Sequence, residues 1–331
     1  MTDFSILDLA YIREGDDAAE ALTHSADLAV QAERWGYRRF WLAEHHNAKG
    51  NASSAPAVMI AHIASRTRTI RVGSGGVMLP VHVPLVVAEQ FGTLASLFPG
   101  RIDLGLGRAA GTAHDPTLRA LHRQPGRVLS FPQDVQELQT LLGPPQPWQS
   151  VQAIPGAGLE VPLWLLGAGA AGATLAAEMG LHFAFASHFL PPELMSALAI
   201  YREKFRPSRQ LAKSYAMVAV NVVAADSDEE ARHLFTTAQQ ITTDGHRNHH
   251  TTLKPPIDDI ESYWTATEKP VVEAILTCSF VGSRQSLRPK LQEFIARTGA
   301  DELIVNSAIF DRKARLRSFE ILADVRNDLA R

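Results

Sequence analysis

Cysteine is almost absent from this sequence, since Cys278 is the single cysteine among 331 residues. One cysteine can form neither an internal disulfide nor a Cys-based zinc site. Cys278 has no convincing base near it in the sequence, so we expect it to be a buried apolar residue. The fold must then depend on its hydrophobic core, for which a hydrophobic fraction of 46% supplies ample material.

Long hydrophobic runs are absent as well. No stretch approaches the roughly 20 apolar residues that a membrane-spanning helix needs. The first ten residues do not show the basic segment and long apolar stretch of a secretory signal peptide. We therefore expect a cytoplasmic protein that does not contact membranes.

Neither sign of charge is in excess. The chain has 32 basic and 35 acidic residues, a formal net charge of −3, and the two signs are interspersed. Proteins that bind nucleic acids usually cluster Lys and Arg on one face. The composition therefore argues against a nucleic-acid partner and favours a small-molecule ligand.

Short apolar runs alternate with helical patterns along the whole chain. We predict eight strands, at 4–10, 39–43, 70–75, 101–106, 161–166, 182–186, 215–223 and 302–305. Alternating strands and helices form a parallel sheet, and eight repeats are what a closed (β/α)₈ barrel, or TIM barrel, requires. An open doubly wound sheet is the alternative.

Two intervals are too long to be simple loops of such a barrel. One follows the fourth strand, and the other, at 243–277, follows the seventh. Long segments of this kind are usually disordered or act as active-site lids. Neither interval has linker composition, so we expect one domain over 1–331.

A glycine-rich segment follows the fifth strand. Gly167, Gly169 and Gly172 form a G-x-G-x-x-G pattern at the start of a helix, where free backbone N–H groups can bind phosphate. A dinucleotide site would also need an acidic residue at the end of the next strand, and Glu193 lies beyond that point. We therefore favour a phosphate cradle, with tight packing of an Ala/Gly-rich helix as the alternative.

Arg108 follows the fourth strand, next to Gly107. The carboxyl ends of parallel strands lie on one rim, where barrel enzymes place their active sites. A guanidinium group there could reach an anion held at the Gly167 helix, because its geometry matches phosphate. By itself, an arginine after a strand is usually a surface charge.

The second strand ends in Glu44-His45-His46. Neighbouring residues of an extended chain point to opposite sides, so we predict no metal site here. An acid–histidine pair on the barrel rim is instead a candidate for general acid/base catalysis. Three further histidines, which we expect in a solvated loop, are His246, His249 and His250.

These features occur together with a set of motifs that resembles one family. The segments are FWLAEHHN at 40–47, IRVGSGGVMLP at 70–80, PGRID at 99–103, GLGR at 105–108, WLLG at 164–167, FASHF at 185–189 and TGADEL at 298–303. They resemble the bacterial luciferase-like monooxygenases, in the branch often described as alkanal monooxygenases. The resemblance covers nearly the whole chain.

The resemblance implies a (β/α)₈ barrel that binds FMN, usually as FMNH₂ supplied by a separate NAD(P)H:flavin reductase, and that is often a homodimer. It implies a catalytic role for His45 and a non-proline cis peptide beside the flavin at Gly75-Gly76. It also places the phosphate-binding arginine at Arg108 and a mobile lid at 243–277. The full set of cofactor contacts that we predict is Gly75, Gly76, Arg108, Ala109, Leu166, Gly167, Ala168, Gly169, Gly172 and His188.

The phosphate cradle departs from the family pattern. Relatives place hydroxyl groups, typically serines, near the positions of Ala168, Gly169 and Gly172, whereas Thr174 is the nearest hydroxyl here. Backbone N–H groups and Arg108 would have to hold the phosphate. We expect weak FMN affinity, which suits a diffusing reduced flavin but leaves open a site that has lost its function.

The sequence and the resemblance together predict a two-component, FMNH₂-dependent monooxygenase. It would use O₂ to oxidise a small organic substrate through a C4a-peroxyflavin, with His45 as acid/base and Glu44 positioning the flavin or the histidine. The alternatives are a flavin- or deazaflavin-dependent reductase on the same barrel and a non-catalytic flavin-binding protein. The sequence identifies neither the substrate nor any emission of light.

Overall fold

A parallel sheet closes into a barrel at the centre of the molecule. The computed structural model describes residues 2–108, 115–121, 129–249 and 251–330. Their strands are β1 (Asp3–Asp8), β2 (Arg39–Leu42), β3 (Arg71–Met78), β4 (Ile102–Gly107), β5 (Leu163–Gly167), β6 (His182–Phe185), β7 (Ala216–Ala224), β8 (Ser279–Gly282) and β9 (Glu302–Asn306). Neighbours pair in chain order from β1 to β7, and β9 pairs with both β7 and β1. The barrel is closed, which excludes the open doubly wound sheet.

The predicted eight strands are all present, and one further strand was missed. The strand predicted as the eighth, at 302–305, is β9. The missed strand is β8, which, among the described strands, pairs with the end of β7. There Asn221 is in register with Ser279 on one side and with Asn306 on the other, so β8 lies outside the ring of eight. Four residues with two apolar side chains give no strand pattern that distinguishes β8 from a loop.

Helices surround the barrel. They are α1 (Ala18–Arg34), α2 (Pro56–Arg66), α3 (Pro84–Leu97), α4 (Asp115–Ala120), α5 (Phe131–Leu142), α6 (Ala170–Glu178), α7 (Leu194–Lys204), α8 (Asp228–His246), α9 (Glu268–Ile275), α10 (Arg284–Thr298) and α11 (Arg312–Leu329). Their apolar faces form one large core with the outer face of the strands. The free thiol of Cys278 belongs to this core, as predicted.

The interior of the barrel has a second core and a charged lower end. Trp41, Trp164, Met217 and Ile304 fill the middle. At the amino ends of the strands, the Arg39 guanidinium contacts Asp103 at 2.7 Å and Glu302 at 3.1 Å. Barrel enzymes do their chemistry at the opposite end, so this buried ion-pair network serves the fold.

Both predicted insertions contain secondary structure. The segment after β4 includes α4 and α5, and 243–277 includes the end of α8, a 3-10 turn at Ile260–Ser262, and α9. The solvated loop expected for the three histidines is wrong for His246, which ends α8. His250 lies outside the described residues. Leu253 is tied to the β1–α1 loop by backbone hydrogen bonds of 2.9 Å to Ile12 and 2.7 Å from Glu14.

A polar cluster also fixes the predicted lid segment. The ammonium of Lys254 donates to Asp244 at 2.7 Å and to the Tyr263 hydroxyl at 2.8 Å. The guanidinium of Arg247 contacts Glu268 at 2.7 Å. These bonds hold the chain between α8 and α9 against α8, and the mobility of the lid stays a prediction.

No helix in the described part of the chain is long and apolar enough to span a membrane.

Candidate active site

A cavity of about 1530 Å³ opens at the carboxyl ends of the strands. Pockets for one drug-sized ligand measure about 300–1000 Å³, so this one has room for a flavin and a second molecule. The predicted site residues that line it are Glu44, His45, Gly75, Gly76, Arg108, Leu166, Gly167, Ala168, Gly169, Gly172 and His188. Ala109 lies outside the described residues.

One part of the cavity wall is bare backbone at Gly75 and Gly76. Their peptide bond is cis, as predicted. A Cβ atom on Gly75 would lie 2.7 Å from Leu7 Cδ1, and one on Gly76 would lie 2.7 Å from the carbonyl oxygen of Gly105. A side chain on Gly76 would clash with backbone, and one on Gly75 would require Leu7 to move. Both glycines line the cavity.

Glu44 is buried and binds two histidines. One carboxylate oxygen accepts hydrogen bonds from Nε2 of His46 at 2.7 Å and of His82 at 2.6 Å, and the other accepts from the Met78 N–H at 2.6 Å. Burial by itself would raise the pKa of Glu44, but the bonds to His82, Met78 and His46 hold that pKa below its ordinary value.

The partners of Glu44 differ from those suggested by the sequence. The sequence analysis paired the carboxylate with His45, its neighbour in the chain. Side chains at i and i+2 of an extended segment share a side, and Glu44 accordingly meets His46. His82 comes from the turn after β3, and nothing in the local sequence pairs it with Glu44. Glu44 therefore connects the ends of β2 and β3.

The same three residues raise the question of a metal. One donor atom each from Glu44, His46 and His82 lies within 4.8 Å of the other two. The prediction of no metal site concerned residues that follow one another in the chain. Glu44, His46 and His82 are not consecutive, so that prediction does not cover them. However, two ligands of one ion are roughly 3 Å or more apart, and the O–N distances here are 2.6 and 2.7 Å. The cluster in this structure is hydrogen-bonded.

His45 and His188 face the cavity from β2 and β6. The backbone N–H of His45 donates to the carbonyl of Ser53 at 3.0 Å, which fixes the chain at this point. His188 Nδ1 is buried and has no hydrogen-bond partner among the described residues. Burial, with a smaller contribution from the charge of His45, lowers the pKa of His188 to about 4. His188 is thus a neutral imidazole at neutral pH.

The glycine-rich segment forms the end of β5 and the start of α6. A Cβ on Gly167 would lie 3.4 Å from both the Gly172 Cα and the Phe183 ring. These are ordinary van der Waals contacts, whereas a Cβ on Gly172 would lie 3.3 Å from the Gly167 Cα, which is tighter than usual. Packing, the alternative considered from the sequence, thus favours glycine at 172 and does not require it at 167. The amino end of α6 still faces the same cavity as Arg108, which is exposed.

Glu193 is the residue that the sequence analysis passed over here. It comes from the loop between β6 and α7, and its Oε2 accepts a hydrogen bond of 3.3 Å from the N–H of Ala170, the first residue of α6. A Cβ on Gly169 would lie 2.8 Å from the same oxygen. From the sequence, Glu193 was considered only as an acidic residue that lies too far along the chain to complete a dinucleotide site.

A second set of residues, to which no role was assigned from the sequence, forms a polar chain along the rim of the cavity over neighbouring strands. The Tyr11 hydroxyl donates to Asn306 at 3.3 Å, the Asn306 amide donates to Asn221 at 2.9 Å, and the Asn221 amide donates to the carbonyl of His188 at 2.8 Å. Burial raises the pKa of Tyr11 to about 12, so it remains a neutral donor. Asn221 lies within β7, directly beside Asn306, the last residue of β9.

The rest of the cavity wall is largely apolar. The side chains that contribute are Leu129, Phe131, Phe189, Leu190, Ile241, Ile275 and Leu276. They lie on the segments after β4, β6 and β7. The cavity therefore combines one glycine-rich side, which carries Arg108, with an apolar side.

The residues present fit a flavin mononucleotide. The bare backbone of Gly75 and Gly76 leaves room for a flat ring, and the amino end of α6 and Arg108 offer donors to a phosphate. Glu193 is the exception, because it brings a carboxylate to the phosphate end.

Comparison with known proteins agrees with the fold and the motifs. The family model for luciferase-like monooxygenases matches residues 2–302. A protein from Escherichia coli (strain K12) named luciferase-like monooxygenase is 50% identical over 334 residues, which is 99% of each chain. The crystal structure of apo-MsnO8 is similar with a TM-score of 0.90 and 34% identity over 99% of each chain.

A more distant structure has the same fold. The oxygenating constituent of 3,6-diketocamphane monooxygenase from Pseudomonas putida, in complex with FMN, has a TM-score of 0.72 at 18% identity and covers 98% of this chain and 97% of its own. With the full-length match to the family and the barrel in place, the chain belongs to the luciferase-like monooxygenase family.

Proposed function

We propose that the protein is an FMNH₂-dependent monooxygenase that receives its reduced flavin from a separate NAD(P)H:flavin reductase. The observation that carries the proposal is the single cavity in which the bare backbone at Gly75-Gly76, the amino end of α6, Arg108 and His45 all meet. Membership of the family supports the monooxygenase class. The FMN of the camphane enzyme, which has the same fold, supports the choice of flavin.

Each region of the cavity would have its own task. The Gly75-Gly76 backbone would contact the flavin ring, while Arg108 and the N–H groups of α6 would bind the phosphate. When bound, reduced flavin supplies the two electrons with which one atom of O₂ enters the substrate and the other becomes water. His45 would move a proton at the reacting atoms, and Glu44 would hold the ends of β2 and β3 in place.

The apolar side of the cavity would take the organic substrate. Its aromatic and aliphatic side chains exclude water, and Arg108 would bind the flavin phosphate and not the substrate. We therefore expect an uncharged substrate with a sizeable apolar part. We also propose, from the resemblance, that the protein acts as a cytoplasmic homodimer and that residues 243–277 close over the bound substrate.

The test is turnover with FMN, NADH and an added flavin reductase, over a panel of aldehydes, ketones and thioethers. Under ¹⁸O₂ we expect one labelled oxygen atom per molecule of product. Reduction of a substrate without label would support the reductase alternative. Binding of flavin with no product from any member of the panel, or from a wider set of apolar compounds, would favour a non-catalytic flavin-binding protein.

A further inference from the structure

The carboxylate of Glu193 occupies the position where a phosphate would bind at the start of α6. Its Oε2 accepts a hydrogen bond of 3.3 Å from the Ala170 N–H. The first turn of α6 has no acidic side chain of its own, and Gly169 at the N-cap has no side chain to offer. Among the described residues, Glu193 is thus the side chain that accepts from the first N–H group of this helix.

The position of Glu193 has a consequence for any anion in the cavity. The amino end of a helix attracts a negative charge because its N–H groups are unsatisfied and its dipole is positive there. A carboxylate already present uses one of these N–H groups and repels a second anion. Since Glu193 lines the same cavity as Arg108, the two side chains act on a bound phosphate with opposite signs.

We propose that Glu193 determines flavin specificity by competing with the 5′-phosphate of FMN. The inference rests on the flavin site of the proposed function. In the wild-type protein the carboxylate lowers the affinity for FMN and leaves that for riboflavin, which has no phosphate, unchanged. The site consequently distinguishes the two flavins less than the helix and Arg108 alone would.

The experiment compares the dissociation constants of oxidised FMN and riboflavin, measured by quenching of flavin fluorescence. The variants are Glu193→Gln and Glu193→Ala, and the control is Glu178→Gln. Glu178 is also exposed and also lines the cavity, but it is the last residue of α6. Thermal unfolding of each variant checks that the fold is intact.

We expect both Glu193 variants to bind FMN about three- to tenfold more tightly, since Glu193 is exposed and its charge is partly screened. Binding of riboflavin should be unchanged, the Glu178→Gln protein should match the wild type for both flavins, and the gain for FMN should shrink as salt is added.

Suppose that the wild type binds FMN or riboflavin and that the Glu193 variants show the same ratio of the two affinities. This result would overturn the inference and leave Glu193 as a helix cap. Absence of binding of either flavin to any of these proteins would overturn the proposed function, and the inference with it.

Discussion

The chemistry proposed for the rim of the barrel depends on side chains whose charge is set by their surroundings. His188 is kept neutral by burial, and Glu44 is kept ionised by the hydrogen bonds of His82, Met78 and His46. A neutral imidazole and a fixed carboxylate change little with pH near neutrality. His45 also lines the cavity, and it is the group to which we assign proton transfer.

Replacement of His45 by alanine should lower turnover by about 10²–10⁴, the usual contribution of a general acid or base. Flavin affinity should change far less, because the proposed phosphate contacts lie on the segments after β4 and β5. The measurement is the rate of product formation in a single turnover of protein loaded with FMNH₂. His246→Ala, which removes another cavity-lining histidine, should retain most of the rate. Equal rates for His45→Ala and the wild type would show that His45 is structural.

Replacement of Arg108 by alanine should weaken the binding of FMN by about tenfold. A charge-assisted hydrogen bond contributes about 1.5–3 kcal/mol, and the lower end of that range suits an exposed arginine. Equilibrium titration with FMN gives the affinity, and titration with riboflavin, whose binding should not change, is the control. A folded variant that binds FMN as tightly as the wild type would contradict the assignment of Arg108 to the phosphate.

Among the elements, β3 and β4 make an unusually close contact below the site. The Ser74 hydroxyl donates to the carbonyl of Gly105 at 2.9 Å and accepts from the N–H of Gly105 at 3.0 Å. The register of the two strands shifts between Ser74 and Val77, around the two glycines of the cavity wall. Ser74 thus replaces the regular ladder where the backbone turns toward the cavity.

Two glycines of β4 should respond differently to substitution by alanine. A Cβ on Gly105 would lie 2.1 Å from the carbonyl oxygen of Ser74, whereas the nearest atom of the described residues to one on Gly107 is the Val77 carbonyl oxygen at 3.8 Å. We expect Gly105→Ala to lower the free energy of unfolding by about 3 kcal/mol or more, as overpacking against backbone does, and Gly107→Ala to change it by about 1 kcal/mol or less. Urea unfolding of both variants provides the measurement, and equal stabilities would show that β3 and β4 can separate freely.

At the scale of the whole molecule, the two ends of the barrel have separate roles. At the lower end Asp103 and Glu302 both contact Arg39, and His182 stacks on Trp164 with ring centroids 4.3 Å apart. Removal of one member of such a buried set leaves its partners unpaired, which is costly. Stability therefore depends on one end of the barrel, while the cavity is at the other.

The stability of the protein should fall as the pH is lowered from about 6.5 to about 4. Burial, and then the charge of Arg39, lower the pKa of His182 to about 4 in the fold, and the pKa of His188 is likewise about 4. The unfolded chain binds protons at these sites below pH 6.5 and the folded chain does not until about pH 4, so protonation favours unfolding. Each histidine contributes at most about 1.4 kcal/mol per pH unit.

Urea unfolding between pH 7 and pH 4.5 measures this dependence. His182→Phe retains an aromatic ring against Trp164 but cannot bind a proton, and its free energy of unfolding should decline less steeply over the same range. A slope equal to that of the wild type would show that His182 does not contribute.

The order of strands and helices could be predicted from the sequence because it depends on local patterns. Apolar runs of strand length, helix stops such as Gly299, and the strand-end glycines are each set by residues close together in the chain. The motifs at 40–47, 70–80 and 105–108 are local as well, and they are sufficient to predict His45, Gly75-Gly76 and Arg108 on one rim. Eight repeats favoured a closed barrel over an open doubly wound sheet, and the pairing of β9 with both β1 and β7 decided between them.

Contacts between distant segments were decided only by the tertiary structure. Glu44 meets His82 from the end of the next strand, Glu193 reaches the start of α6, and Tyr11 after β1 joins Asn306 at the end of the neighbouring β9. Each pair depends on where two loops end after the strands have closed, and on the rotamer that burial leaves available. Neither the loop ends nor the rotamers can be predicted from the spacing of apolar residues. The sequence therefore determined which rim carries the site, and the packed barrel determined which side chains meet there.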